Sequence, residues 1–168
     1  MGMFDRGGLD AAHYDSLAAS LSGKPRVLAW ARTPDGVAVG LSGRLTWTTP
    51  DGWGFVRWDE IEHGRWDRVS STLHWTLPEG AKGELVLSEP GRLPELFAER
   101  VAASIVVVRQ VDFGSRRRAI ISARRNLEAD GLLEWRAVRT PGWPEADPEA
   151  DALLQAELAR IGAEYDIA

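Results

Sequence analysis

The chain has 168 residues, enough for one domain with a sizeable core or for a small domain with an appended subdomain. Its 44% apolar and 27% charged residues are ordinary for a soluble globular protein, and the absence of cysteine excludes disulfides, thiolate zinc sites and a cysteine nucleophile. The net charge of −5 hides a segregation: residues 1–104 sum to −3, residues 105–140 to +4 and residues 141–168 to −6.

The opening MGMFDRGGLDAAHYD has no apolar core of signal-peptide length and is acidic where a leader is basic. No apolar run approaches the ~20 residues of a membrane span. A cytoplasmic chain without a membrane span is expected.

Asp10 is placed to cap a helix ending near Leu21, where Gly23 and Pro25 stop it, so residues 1–25 are expected to form an N-terminal helical segment. Short alternating segments follow. Arg26–Ala31 predicts a strand, Thr33–Gly36 a tight turn, and Val37–Ser42 a strand with Val37, Val39 and Leu41 on one face. Arg44–Thr48 predicts another, with Leu45 and Trp47 inward, and Pro50–Gly54 a further turn.

The stretch RWDEIEHGRWD then has period two, with an irregularity near Asp59. STLHWTL (Ser71–Leu77) puts Leu73, Trp75 and Leu77 on one face and His74 on the other. A two-residue loop at Ser70–Ser71 places Trp66 opposite Trp75 and Asp67 opposite His74, leaving His63 well removed. Gly83–Ser88 predicts one more strand. Pro90–Ile105 is the clearest helix, with Leu93, Phe97, Val101 and Ile105 recurring every four residues.

Seven or so short antiparallel strands followed by one amphipathic helix resemble a pleckstrin-homology-like (PH-like) domain. The runs VLAWARTPDGVAVGLSGRLTW, RWDEIEHGRWD and EPGRLPELFAERVAASIVV are also similar to a group of uncharacterised actinobacterial proteins. The likeness covers roughly Arg26 to Val108, and its motifs are structural: a W-x-E-I strand start at Trp58–Ile61 and the capping helix. It implies a PH-like barrel over residues 26–105 and a role in binding rather than catalysis.

A plain PH-like domain stops at its helix. Here residues 106–168 predict an extension: strands at Ser104–Phe113, Arg117–Arg125 and Leu132–Thr140, then a helix capped by Asp147 with Ala150, Leu154, Leu158 and Ile161 on its apolar face. The expected fold class is thus mainly β (α+β), an antiparallel PH-like barrel with a capping helix, a short β extension and a C-terminal helix.

The chemistry-bearing residues are sparse. Asp59, Glu60, Glu62 and His63 are crowded in sequence, but adjacent strand residues point to opposite faces, so this cluster reads as the wet side of a strand. There is no G-x-S-x-G, phosphate-binding loop or dinucleotide fingerprint. No catalytic residue, metal site or cofactor is expected.

The arginines of the extension form the main exposed feature. Arg109, Arg116, Arg117, Arg118, Arg124 and Arg125 are anion-binding candidates, since guanidinium forks suit phosphate and carboxylate. Nucleic acid is disfavoured as a partner by the acidic chain as a whole. Neutralisation of these arginines by the acidic C-terminal segment is the competing expectation. Trp143, between Pro141 and Pro144, either anchors the C-terminal helix or meets a partner. The expected function is a non-catalytic binding or scaffolding domain that engages a protein partner or itself. Anion or nucleic-acid binding through the arginine strands, and a small enzyme, are the alternatives.

Overall fold

A computed structural model of the chain describes residues 6–129 and 132–166. Among the described residues, three α-helices and ten strands in three antiparallel sheets make it mainly β, and none of these sheets closes on itself. The chain divides into two compact units, Met1–Ser104 with Asn126–Gly131, and Ile105–Arg125 with Leu132–Ala168.

The first unit begins with α1 (Ala11–Leu21), where the Asp10 carboxylate accepts the His13 N–H at 3.1 Å as the expected cap. Strands β1 (Ala29–Thr33), β2 (Gly36–Gly40), β3 (Arg44–Thr49) and β4 (Gly52–Arg57) form one sheet in sequence order. The first of these starts three residues later than the pattern predicts, because Arg26–Leu28 is irregular even though Val27 is buried. Val37 and Val39 face α1 with Tyr14 and Leu17, while Ala31, Ala38, Leu45 and Val56 face a second core. Both faces of the sheet are therefore covered.

A 3-10 turn (Trp58–Glu60) leads to the second sheet, β5 (His63–Asp67), β6 (Thr72–Thr76) and β7 (Lys82–Val86). The W-x-E-I motif is this turn rather than a strand start. Arg57 explains why: its backbone N–H donates to Glu60, and its guanidinium holds Asp59 at 3.2 and 3.0 Å. Asp59 is 1% exposed, so it belongs to the interior rather than to a wet face.

The helix α2 (Leu93–Ser104) closes the second core, burying Leu93 and Phe97. Ile105 leaves the expected apolar stripe; it begins a strand and is 39% exposed. The core is aromatic. Trp58 meets Phe97 edge-on with centroids 5.8 Å apart, Trp47 tilts against Trp75 at 5.5 Å, and the Trp58 indole N–H donates to the Leu41 carbonyl at 2.9 Å.

The second unit is a meander of β8 (Ile105–Asp112), β9 (Arg118–Arg125) and β10 (Leu133–Arg139), with α3 (Pro148–Asp166) packed on one face. The apolar face predicted for that helix is present: Ala150, Leu154 and Ile161 are buried, and Leu158 packs beside them on Ile121 and Ala123. The Asp147 carboxylate accepts the Ala150 N–H at 3.0 Å, which caps the helix as expected. No helix among the described residues is long and apolar enough to cross a membrane.

Candidate functional site

The site is built on the β5–β6–β7 sheet, and a turn sets its register. The Asp67 carboxylate accepts the N–H groups of Val69 at 2.9 Å and Ser70 at 3.3 Å, and Ser71 adopts a left-handed backbone with φ of 51°. These contacts extend the loop to four residues instead of the expected two. Those hydrogen bonds, Ser70's first and Val69's next, hold the Asp67 carboxyl below its usual value of 3.8.

The longer loop slides every pairing. Trp66 lies opposite Leu73 rather than Trp75, Asp67 opposite Thr72, and Arg65 opposite His74. His63 faces Thr76 and so stands diagonal to His74, closer than the two-residue loop allows. A slip of two keeps each side chain on its face. Trp66, Leu73, Trp75 and Leu85 still pack toward the core, and the histidines still point away from it.

Three rows cross this sheet. His63, Thr76 and Lys82 form one outward row, and Arg65, His74 and Glu84 form another. Between them run Gly64, Trp75 and Gly83, which send no side chain outward. Two outward rows with nothing between them make a groove about 7 Å across, floored by backbone. Its volume is roughly 510 Å³, and all nine of these residues line it.

Packing accounts for the glycines. A Cβ on Gly83 would strike the Trp75 indole, and one on Gly64 would lie 2.5 Å from the Phe97 ring. The floor is thus fixed by the aromatic core beneath it.

The polar groups of the groove are only partly engaged with one another. His74 Nδ1 lies 3.7 Å from Glu84 Oε2, and Arg65 Nη1 lies 4.0 Å from Asp67 Oδ2, too far for a hydrogen bond. His63 and Lys82 have no acidic partner among the described residues. The Thr76 hydroxyl is buried, and no partner for it occurs among the described residues. Among the described residues no group of three or more His, Asp or Glu is arranged to hold a metal ion.

The arginines of the second unit are placed differently. Arg117 pairs with Asp147 at 2.8 Å, Arg109 with Glu164 at 3.3 Å and Arg118 with Asp112 at 2.9 Å. Arg139, outside the candidate set, meets Asp151 at 2.7 Å. Three of these four acids lie on α3 or at its cap. The Ala150 N–H, and then the Arg117 charge, lower the Asp147 carboxyl below its ordinary range. Arg124 is 4% exposed. Arg116 and Arg125 are exposed and have no acidic partner among the described residues. Arg116 and Arg118 line a separate depression of roughly 330 Å³ with Gln110, Thr140 and Pro141.

Trp143 packs into the core of the second unit, 5.6 Å from the Arg139 guanidinium. Its indole N–H is buried without an acceptor among the described residues.

Sequence reasoning missed the groove as a unit, because a two-residue loop separates His63 from His74. The signal that finds it is Asp67 followed by Val69 and Ser70, an aspartate placed to build an Asx turn. No protein-family model, curated protein or solved structure matches this chain.

Proposed function

We propose that the chain is a non-catalytic binding domain whose first unit is PH-like and whose β5–β6–β7 face engages a protein partner. The groove carries this reading. It is open to water and walled by long polar side chains, and Arg65 and Lys82 in it make no ion pair closer than 4.0 Å among the described residues. Such a surface recognises a charged group presented from outside.

Several features favour the PH-like description. Four strands, then three, are followed by α2, and the backbone pairs Arg32 at the end of β1 with Glu89 just after β7. The core also spans both sheets through Trp47 and Trp75.

The test is capture from a cell extract by the wild-type chain and by Arg65→Glu/Lys82→Glu, with circular dichroism to check the fold. A partner held by the wild type and lost by the double variant is the expected result. Equal capture by both sinks the assignment to this face. Light scattering on the same samples identifies the partner as a second copy if the wild type alone dimerises.

A further inference from the structure

We infer that the groove on the β5–β6–β7 face is a phosphoryl-binding site. The inference rests on the binding-domain reading above and names what that face recognises.

The argument starts from position. His63 and Thr76 stand side by side in one row, Arg65 and His74 in the other, so four hydrogen-bonding groups occupy the corners of a small rectangle. Its sides are about 5 Å between strands and about 7 Å between rows. Lys82 extends the first row on the far side of Thr76. Glu84, the one acid lining the groove, sits at the opposite corner from His63, with its side chain 74% exposed beside His74.

The donors are available. The nearest acid to Arg65 is Asp67, whose Oδ1 accepts the Val69 and Ser70 N–H groups while its Oδ2 stands 4.0 Å from the guanidinium, beyond hydrogen-bond reach. Lys82 has no acidic partner among the described residues, and the buried Thr76 hydroxyl has no partner there. A ligand that accepts hydrogen bonds from Arg65 and Lys82 satisfies two charges at once.

The arrangement selects the geometry of the acceptor. A planar carboxylate can meet only the Arg65 fork and leaves Lys82 and His63 in the other row unmet, too little to hold it at this open face. A tetrahedral phosphoryl group directs its oxygens in different directions, toward Arg65 from one row and toward Lys82 and His63 from the other. It also carries the charge of about −1.5 to −2 that Arg65 and Lys82 oppose, with Glu84 the one acid in the lining. The groove is cationic on a chain whose net charge is −5, so its sign is local and not a property of the whole surface.

The source of the phosphoryl group is distinguished by probe. Inorganic phosphate, a blocked phosphoserine and acetate are titrated separately into the full chain, followed by two-dimensional NMR near neutral pH at constant ionic strength. Saturable shifts of His63, Arg65, His74, Thr76 and Lys82 amides with phosphate or phosphoserine, and none with acetate, are the expected result. Tighter binding of phosphoserine than of phosphate assigns the ligand to a modified protein; the reverse assigns it to the free anion.

Arg65→Gln and Lys82→Gln should each weaken binding by about tenfold or more, with Arg116→Gln as the unaffected control. Absence of saturable shifts in the groove overturns the inference, as does equal binding by the Arg65→Gln/Lys82→Gln variant or by acetate. If phosphate fails while the Glu double variant still loses its partner, the binding face stands and only its ligand chemistry falls.

Discussion

The groove of the first unit and the arginine strands of the second use their cations in opposite ways. In the second, Arg109, Arg117 and Arg139 lie against acids of α3 or its cap at 2.7 to 3.3 Å, and their charge is spent holding a helix to a sheet. In the first, Arg65 and Lys82 stand on an open sheet face with no acidic contact closer than 4.0 Å among the described residues. The local supply of acid separates the two cases. Residues 141–168 carry a large negative excess opposite the arginine strands, whereas the nearest acid to Arg65, Asp67, stands 4.0 Å away. A run of cations in a sequence therefore says less about ligand binding than the few cations with no acid within hydrogen-bond reach.

The contrast can be tested by stability. The groove rests on a rigid aromatic floor, so the strongest perturbation is Trp58→Ala, which removes a fully buried indole and strands the Leu41 carbonyl. We expect a loss of about 3–5 kcal/mol in urea denaturation. Gly83→Ala forces a methyl into the Trp75 ring and should cost about 1–3 kcal/mol by the same measurement. If Gly83→Ala is neutral, the floor is softer than the packing implies.

Smaller effects separate structural charge from functional charge. Asp147→Ala removes a helix cap and the partner of Arg117, so it should lower Tm, whereas Arg65→Gln should leave Tm in place. Equal Tm values for the two variants would erase the distinction between the units. A double-mutant cycle on Arg139 and Asp151, both half exposed, should return about 0.5 kcal/mol of coupling and less in high salt.

The last effect is local and acid-dependent. The folded-state pKa of Asp67 lies below its usual 3.8, so its contribution is complete above that value and lost as pH falls through the lowered one. The Val69 and Ser70 amide signals should hold steady from neutral pH down to about pH 4 and move only below it. Movement at neutral pH would mean that another group controls this loop.

Much of the architecture could be read from residue order. Periodicity placed the helices and nearly every strand, because Val37 with Val39, Leu73 with Trp75, and Leu93 with Phe97 are spaced for one buried face. Sidedness also came through: the tryptophans near His63 and His74 pack inward. Register did not, since it depends on whether the Asp67 side chain or the Ser70–Ser71 backbone defines the turn, and both fit the alternation.

The buried Asp59 was obscured for a similar reason. Period two treats an acid as an outward residue unless a partner is visible, and its partner Arg57 lies two residues away on the far side of a turn that the period does not describe. The groove required the correct register first, so it could not be seen from composition or spacing alone.

Trp75 gives this architecture an optical consequence. Its indole belongs to the core, yet it lies under the groove with only one layer of peptide between the ring and whatever settles above. Occupancy should therefore register in the emission of this tryptophan, and a Trp75→Phe variant would identify that signal against the seven other indoles. The sheet thus acts as a thin window, carrying a surface event to a chromophore that solvent barely touches.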